Sequence, residues 1–201
     1  ATLWTMAATF RELRTRLTPA DIETMLRDGT LDPDIPFELI DGEVVELAPS
    51  FDLQSAVGVQ ISAALVWFAR THGGQVFDAS AGFRVGPDLL DLRSPDVSFI
   101  TAEHARPITG SFPAGAPDLA VEVLSRDQTG AAFARSKVPV YFSSGARLVW
   151  LVDPFRREVR VYRSGDARFE VLRGAAELTL EPLAEGFALP VESVFPAPPE
   201  A

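Results

Sequence analysis

The sequence contains no cysteine, two histidines and one lysine among 201 residues. Without thiols there can be no disulfide framework, no thiolate zinc site and no cysteine nucleophile. His72 and His104 both fall beside loop-like sequence, so a zinc cluster or a Ser/His/Asp triad has little material to draw on. No glycine-rich phosphate loop or dinucleotide fingerprint is present, which argues against nucleotide-fuelled and dinucleotide-dependent chemistry. The longest apolar run, residues 57–69, is broken by Gln60 and Ser62 and is shorter than the roughly 18–20 residues a bilayer span needs. The first residues lack the basic, apolar and small-residue order of a signal peptide. A cytoplasmic location with no membrane contact is the expectation.

Hydrophobic residues make up 47% of the chain and charged residues 23%, which excludes a disordered or fibrous protein. The net charge of −10 argues against whole-surface attraction to phosphate or anionic lipid. The charge is uneven, however: residues 121–175 carry a net +4 while the rest of the chain is acidic. That stretch is either a set of solvated strand faces or a local phosphate-binding surface.

Thr18-Pro19 reads as the start of a short helix that Gly29 stops. Asp41-Gly42 joins two short extended runs as a hairpin. Leu53, Val57, Ile61, Leu65 and Phe68 recur at helical spacing, marking an amphipathic helix from Phe51 to about Thr71 that ends at Gly73-Gly74. Strands are expected at 75–85, bent near Gly82, then at 95–100 and 117–124, each of the latter two led by a proline. A helix from Thr129 to about Ser143 contains Pro139 and is closed by Gly145. Strands at 146–153, 158–163 and 168–173 follow, and residues 177–195 show little pattern. The reading is one α+β domain, residues 1–201, with an N-terminal extension over 1–17, a core over 18–195 and a mixed sheet.

Chemistry points to carboxylates on apolar strands. Alternation in PDVSFI puts Asp96, Ser98 and Ile100 on one face, and in PDLAVEVLS it puts Asp118, Ala120, Glu122 and Leu124 on one face. Glu122 lies within Leu-Ala-Val-Glu-Val-Leu, where an acid is rarely buried without a partner or a metal. Two such carboxylates suit Mg²⁺, which accepts one or two of them and keeps several waters. They equally suit a metal-free general acid/base pair, and spacing alone leaves both open. Lys137 follows Glu122 by fifteen residues in the next helix and could turn back over the strand end. In a chain with 17 arginines, a retained lysine suggests a need for a compact ammonium with three donors.

ELIDGEV from Glu38, SPDVSFI from Ser94, PDLAVEVLS from Pro117 and KVPVYFSSGARLVWLVDP from Lys137 together resemble the Uma-type family of restriction-endonuclease-like proteins, within the PD-(D/E)xK nuclease superfamily. The resemblance implies a restriction-endonuclease-like α/β core: a mixed sheet flanked by helices, with the N-terminal hairpin and extra C-terminal strands. It implies Mg²⁺-dependent hydrolysis of DNA, Mn²⁺ being the natural substitute, with Asp96 as the motif aspartate and Glu122 as the second metal ligand. The superfamily's usual lysine position is Leu124 here, and Lys137 matches the lysine that such relatives carry on the following helix. Glu38 matches the acid of the ELIDG block as a further ligand or water-orienting group, and Arg126 and Arg135 are candidate phosphate contacts. Two features depart from the pattern: Leu53 and Gln54 stand where many relatives have a histidine, and Phe133 stands where they have an acid. DNA is the implied partner, with self-association into a dimer allowed for. The competing reading is a catalytically inactive nuclease fold that binds DNA or a partner protein.

Overall fold

The computed structural model describes residues 16–47, 51–125 and 131–197, and the side chains within these ranges except for 131–135. Its elements are α1 (Pro19–Asp28), β1 (Phe37–Ile40), β2 (Glu43–Glu46), α2 (Asp52–His72), β3 (Gln75–Asp78), β4 (Phe83–Val85), β5 (Asp91–Arg93), β6 (Val97–Ile100), β7 (Leu119–Val123) and α3 (Ala131–Ser143). They continue with β8 (Leu148–Asp153), β9 (Glu158–Arg163), β10 (Glu170–Arg173), β11 (Glu177–Thr179), β12 (Ala188–Pro190) and α4 (Val191–Val194).

A mixed six-stranded sheet in the order β10-β9-β8-β7-β6-β3 forms the centre of the fold. β7 and β8 run parallel, joined through α3, whereas β6 runs antiparallel to β7. Alternation along the strands separates two cores. Val97, Phe99, Leu119, Val121 and Val123 face α2, meeting Val57, Ile61, Leu65 and Phe68. Ile100, Ala120, Val149 and Leu151 face the other way, against Val138 and Tyr141 of α3 and Phe83 and Val85 of β4. Both faces of the central strands are therefore covered, which is why β7 and β8 read as near-continuous hydrophobic runs.

A smaller sheet, β2-β1-β5-β4, carries α1 on a third cluster of Ile22, Leu39 and Leu92. The β1–β2 turn places Asp41 at φ 51° and Gly42 at φ 78°, as a two-residue hairpin of this kind requires. Thr18 and Asp21 cap α1 reciprocally, the Thr18 N–H donating to Asp21 Oδ2 at 2.8 Å.

Three sequence expectations change. Residues 75–85 form two strands in different sheets rather than one bent strand, because Asp78 Oδ1 accepts the Ser80 N–H at 3.0 Å and turns the chain there. β5 was not expected, since three residues with one apolar side chain give no alternation to read. Residues 177–195 are ordered: Leu178, Leu180, Phe187, Val191, Val194 and Phe195 all join the α2-side core, at spacings that fit neither a helix nor a strand period. The expected helix start at Thr129 lies outside the described residues. No described helix is long and apolar enough to cross a membrane.

The burial pattern along α2 predicts contrasting effects of substitution. Leu65 is fully enclosed, whereas Trp67 is 72% exposed. Leu65→Ala is expected to lower the unfolding free energy by about 2–5 kcal/mol, and Trp67→Ala to change it by less than about 0.5 kcal/mol, as read from urea unfolding.

Candidate active site

Glu122 stands one residue from the end of β7, on the face turned toward α3, and is only 3% exposed. The parallel connection brings α3 back over that strand end. On this helix Lys137 and Tyr141 are four residues apart, one turn, and so share a face. Lys137 Nζ donates to both Glu122 oxygens, at 3.1 Å each, and the Tyr141 hydroxyl donates to Oε1 at 2.5 Å. Leu124, at the superfamily's usual lysine position, is buried, and α3 supplies the ammonium instead.

Asp96 precedes β6 and reaches across to the neighbouring strand, accepting the Val123 N–H on Oδ2 at 2.6 Å. Glu38 arrives from the other sheet. Pairing of Leu39 with Leu92 sets Glu38 beside Arg93, whose Nη1 donates to Glu38 Oε2 at 2.8 Å, and Ser94 N–H donates to Oε1 at 3.3 Å. Lys137 Nζ lies 3.1 Å from Glu38 Oε1, so a single ammonium bridges two buried carboxylates from two sheets.

Asp96, Glu122, Glu38 and Lys137 are thus brought together. Arg126 lies outside the described residues, as does the side chain of Arg135, so neither expected phosphate contact is placed. Arg93 and Tyr141 were not singled out from the sequence. Tyr141 could have been found from its spacing of four from Lys137, but Arg93 lies on the unrecognised β5. Gln54 is buried in the first turn of α2, and its Oε1 has no hydrogen-bond partner among the described residues. Most of the described arginines of the positive stretch pair with acids. Arg160 and Arg173 both hold Glu158, Arg163 holds Glu170, Arg157 holds Glu192, and Arg156 lies 3.9 Å from Asp153.

Among the described residues the cluster sets three carboxylates against two cations, Lys137 and Arg93. Burial raises the Glu122 carboxyl from its ordinary 4.5 to about 7, with Asp96 and Glu38 adding to the rise and Lys137 and Tyr141 opposing it. Burial also raises Asp96, against the pull of the Val123 N–H and Lys137. Burial works against the Lys137 ammonium, but Glu122 and Glu38 outweigh it and hold the group above its ordinary value. The Tyr141 hydroxyl is pushed well up by burial and by the two glutamates, so it remains a donor. The site is therefore short of positive charge, and a proton or an added cation relieves it. Hard carboxylate oxygens are suitable donors for a divalent cation of the Mg²⁺ kind. Among the described residues no group of three or more His, Asp or Glu side chains is placed to hold a metal ion, and Asp96 and Glu122 are the carboxylates that could contribute to one completed by water.

Two consequences can be measured. Between pH 4.5 and about 7 the folded chain holds a proton on Glu122 that the unfolded chain has released, so this group makes stability fall as pH rises through the window. Lys137 stays charged in both states over that range and does not contribute to the slope. Glu122→Gln is expected to flatten the fall between pH 4.5 and about pH 7 in urea unfolding. Arg93→Met leaves Glu38 with one cation instead of two and is expected to cost about 3 kcal/mol in the same assay.

A search among curated proteins finds no match. A crystal structure of a putative nuclease from Anabaena variabilis is similar in fold, with a TM-score of 0.71 at 20% identity, covering 89% of this chain and 97% of that one. The sequence matches the profile of the family Uma2, described as a putative restriction endonuclease, over residues 20–192. That match spans both sheets and every residue of the carboxylate–lysine cluster, and the chain belongs to the Uma2 family.

Proposed function

We propose that this protein hydrolyses DNA phosphodiester bonds with a divalent cation, Mg²⁺ or Mn²⁺, held by Asp96 and Glu122. The observation that carries the reading is the buried cluster in which the chain's single lysine spans Glu122 and Glu38 within a surplus of negative charge. Carboxyls raised by burial beside specific charged partners cluster at functional sites, and Glu122 is raised in this way. When bound, the cation supplies charge neutralisation at the phosphate and acidifies a water molecule.

The remaining roles fall to the chain itself. Lys137 is an ammonium at neutral pH, so it acts as a donor rather than a base. It orients the attacking water and stabilises negative charge as that water adds to phosphorus, one P–O ester bond breaks and the leaving oxygen takes a proton. Arg93 and the Ser94 N–H fix Glu38, which in turn holds the ammonium in place. Tyr141 orients the Glu122 carboxylate through Oε1. A restriction-endonuclease-like domain over residues 18–195, self-association into a dimer and phosphate contacts from Arg126 and Arg135 belong to the same reading.

The non-catalytic alternative draws on one observation: both oxygens of Glu122 already have protein partners. Incubating purified protein with single- and double-stranded DNA and Mg²⁺ or Mn²⁺ separates the two readings. Cleavage is expected, is abolished by EDTA, and falls by about 10²-fold or more in Asp96→Asn and Lys137→Ala. Cleavage that survives EDTA or both substitutions would overturn the assignment. DNA binding without cleavage, unchanged in Glu122→Gln, would establish the alternative.

A further inference from the structure

At the opposite end of β6 and β7 from Glu122, the loop of residues 101–118 folds back against β3 and β4. Between loop and strands lies a cavity of about 540 Å³, in the range of small-molecule sites. Loops this long without regular structure are uncommon in compact folds and tend to be functional.

The cavity is built rather than incidental. Phe83 and Val85 point into the core, which turns Arg84 to the other side of β4 and into the cavity wall. The loop is pinned along this strand: the Arg84 N–H donates to Pro113 O at 2.8 Å and the Gly115 N–H donates to Arg84 O at 2.9 Å. Gln75 clamps the backbone of Arg106 from both sides, accepting its N–H at 3.1 Å and donating to its carbonyl at 2.7 Å. The Arg106 guanidinium braces Ala114 O. Phe77, Ile100 and Phe112 supply flat and branched apolar walls.

Charge gives the cavity its chemistry. It is lined by two arginines and no acid, in a chain of net charge −10. Among the described residues neither arginine has a carboxylate partner, and the buried Arg84 Nε has no hydrogen-bond acceptor. Two guanidinium groups on the wall of one cavity, with no carboxylate lining it, suit an oxyanion. Arg106 also lines an adjoining cavity of about 270 Å³ with His104 and Asp118. Asp118 is itself committed, taking the Thr101 N–H and hydroxyl on Oδ2 at 2.8 and 2.9 Å, and its Oδ1 lies 2.6 Å from His104 Nδ1. That contact fixes the imidazole, 45% exposed, with Nε2 as its uncommitted nitrogen.

We propose that this cavity binds a small organic anion consisting of an oxyanion head on a flat apolar body, the head held by Arg84 and Arg106 and the body packed on Phe77, Ile100 and Phe112. A nucleoside monophosphate and an aromatic carboxylate share that chemistry. The site is separate from the carboxylate–lysine cluster, and its failure would leave the nuclease reading untouched.

The test titrates the full chain with adenosine monophosphate, benzoate and inorganic phosphate, following heat by calorimetry and the ring signals of the two histidines by NMR. Saturable binding of the monophosphate, or of both organic probes, is expected, with His104 perturbed and His72 unmoved. Arg84→Gln and Arg106→Gln should each weaken binding about tenfold or more, at unchanged melting temperature for Arg84→Gln. Binding of the monophosphate alone assigns the head as a phosphate, and binding of benzoate as well assigns it as any planar or tetrahedral oxyanion. No saturable binding, undiminished binding in both variants, or inorganic phosphate binding as tightly as the organic probes would overturn the proposal.

Discussion

A carboxylate buried on the central strand of a two-sided sheet is the constraint on which the rest of this structure depends. β7 is buried along its whole length, and Glu122 replaces an apolar side chain there. An isolated charge in that position would cost several kcal/mol after relaxation. The fold meets this with a cation and a hydroxyl from the one helix that the β7–α3–β8 connection must lay over the strand. Lys137 and Tyr141 are therefore consequences of topology as much as of chemistry, because the crossover helix packs in the core layer that Glu122 faces.

The compensation is incomplete, which gives the cluster its character. Lys137 is divided between Glu122 and Glu38, and Asp96 takes only a backbone N–H within the described residues. At Glu158 the balance is the reverse. Glu158 is held by two arginines, and burial notwithstanding, their hydrogen bonds keep its carboxyl below the ordinary range. The same residue type thus sits on β7 with its pKa raised, where burial outweighs a shared ammonium, and on β9 with its pKa lowered, where hydrogen bonds from two arginines outweigh burial.

Much of this could be read in advance, for identifiable reasons. Strict alternation in PDLAVEVLS assigned Glu122 to the same face as Ala120, and helical spacing from Leu53 to Phe68 located α2 within a residue or two. What escaped was carried by short or aperiodic elements. Arg93 belongs to a strand of three residues, so no pattern announced that it faced Glu38. The core contribution of residues 177–195 comes from side chains whose positions are set by tertiary contacts alone. The arginines of 121–175 pair in space mostly with acids that the segment sum already counts, Glu158 and Glu170 among them, while Arg157 reaches outside the segment to Glu192. A local sum registers the first kind of pairing but not the second.

Glu38 and Arg93 belong to the four-stranded sheet, whereas Glu122 and Lys137 belong to the six-stranded sheet and its crossover helix. The 3.1 Å contact between Lys137 and Glu38 is thus a bolt across the seam between two separately hydrogen-bonded layers. Each layer could keep its own ladders while the seam opened, so loosening there would dismantle the cluster without melting a strand. Integrity of the site is in this sense a local reporter of how the two layers are docked.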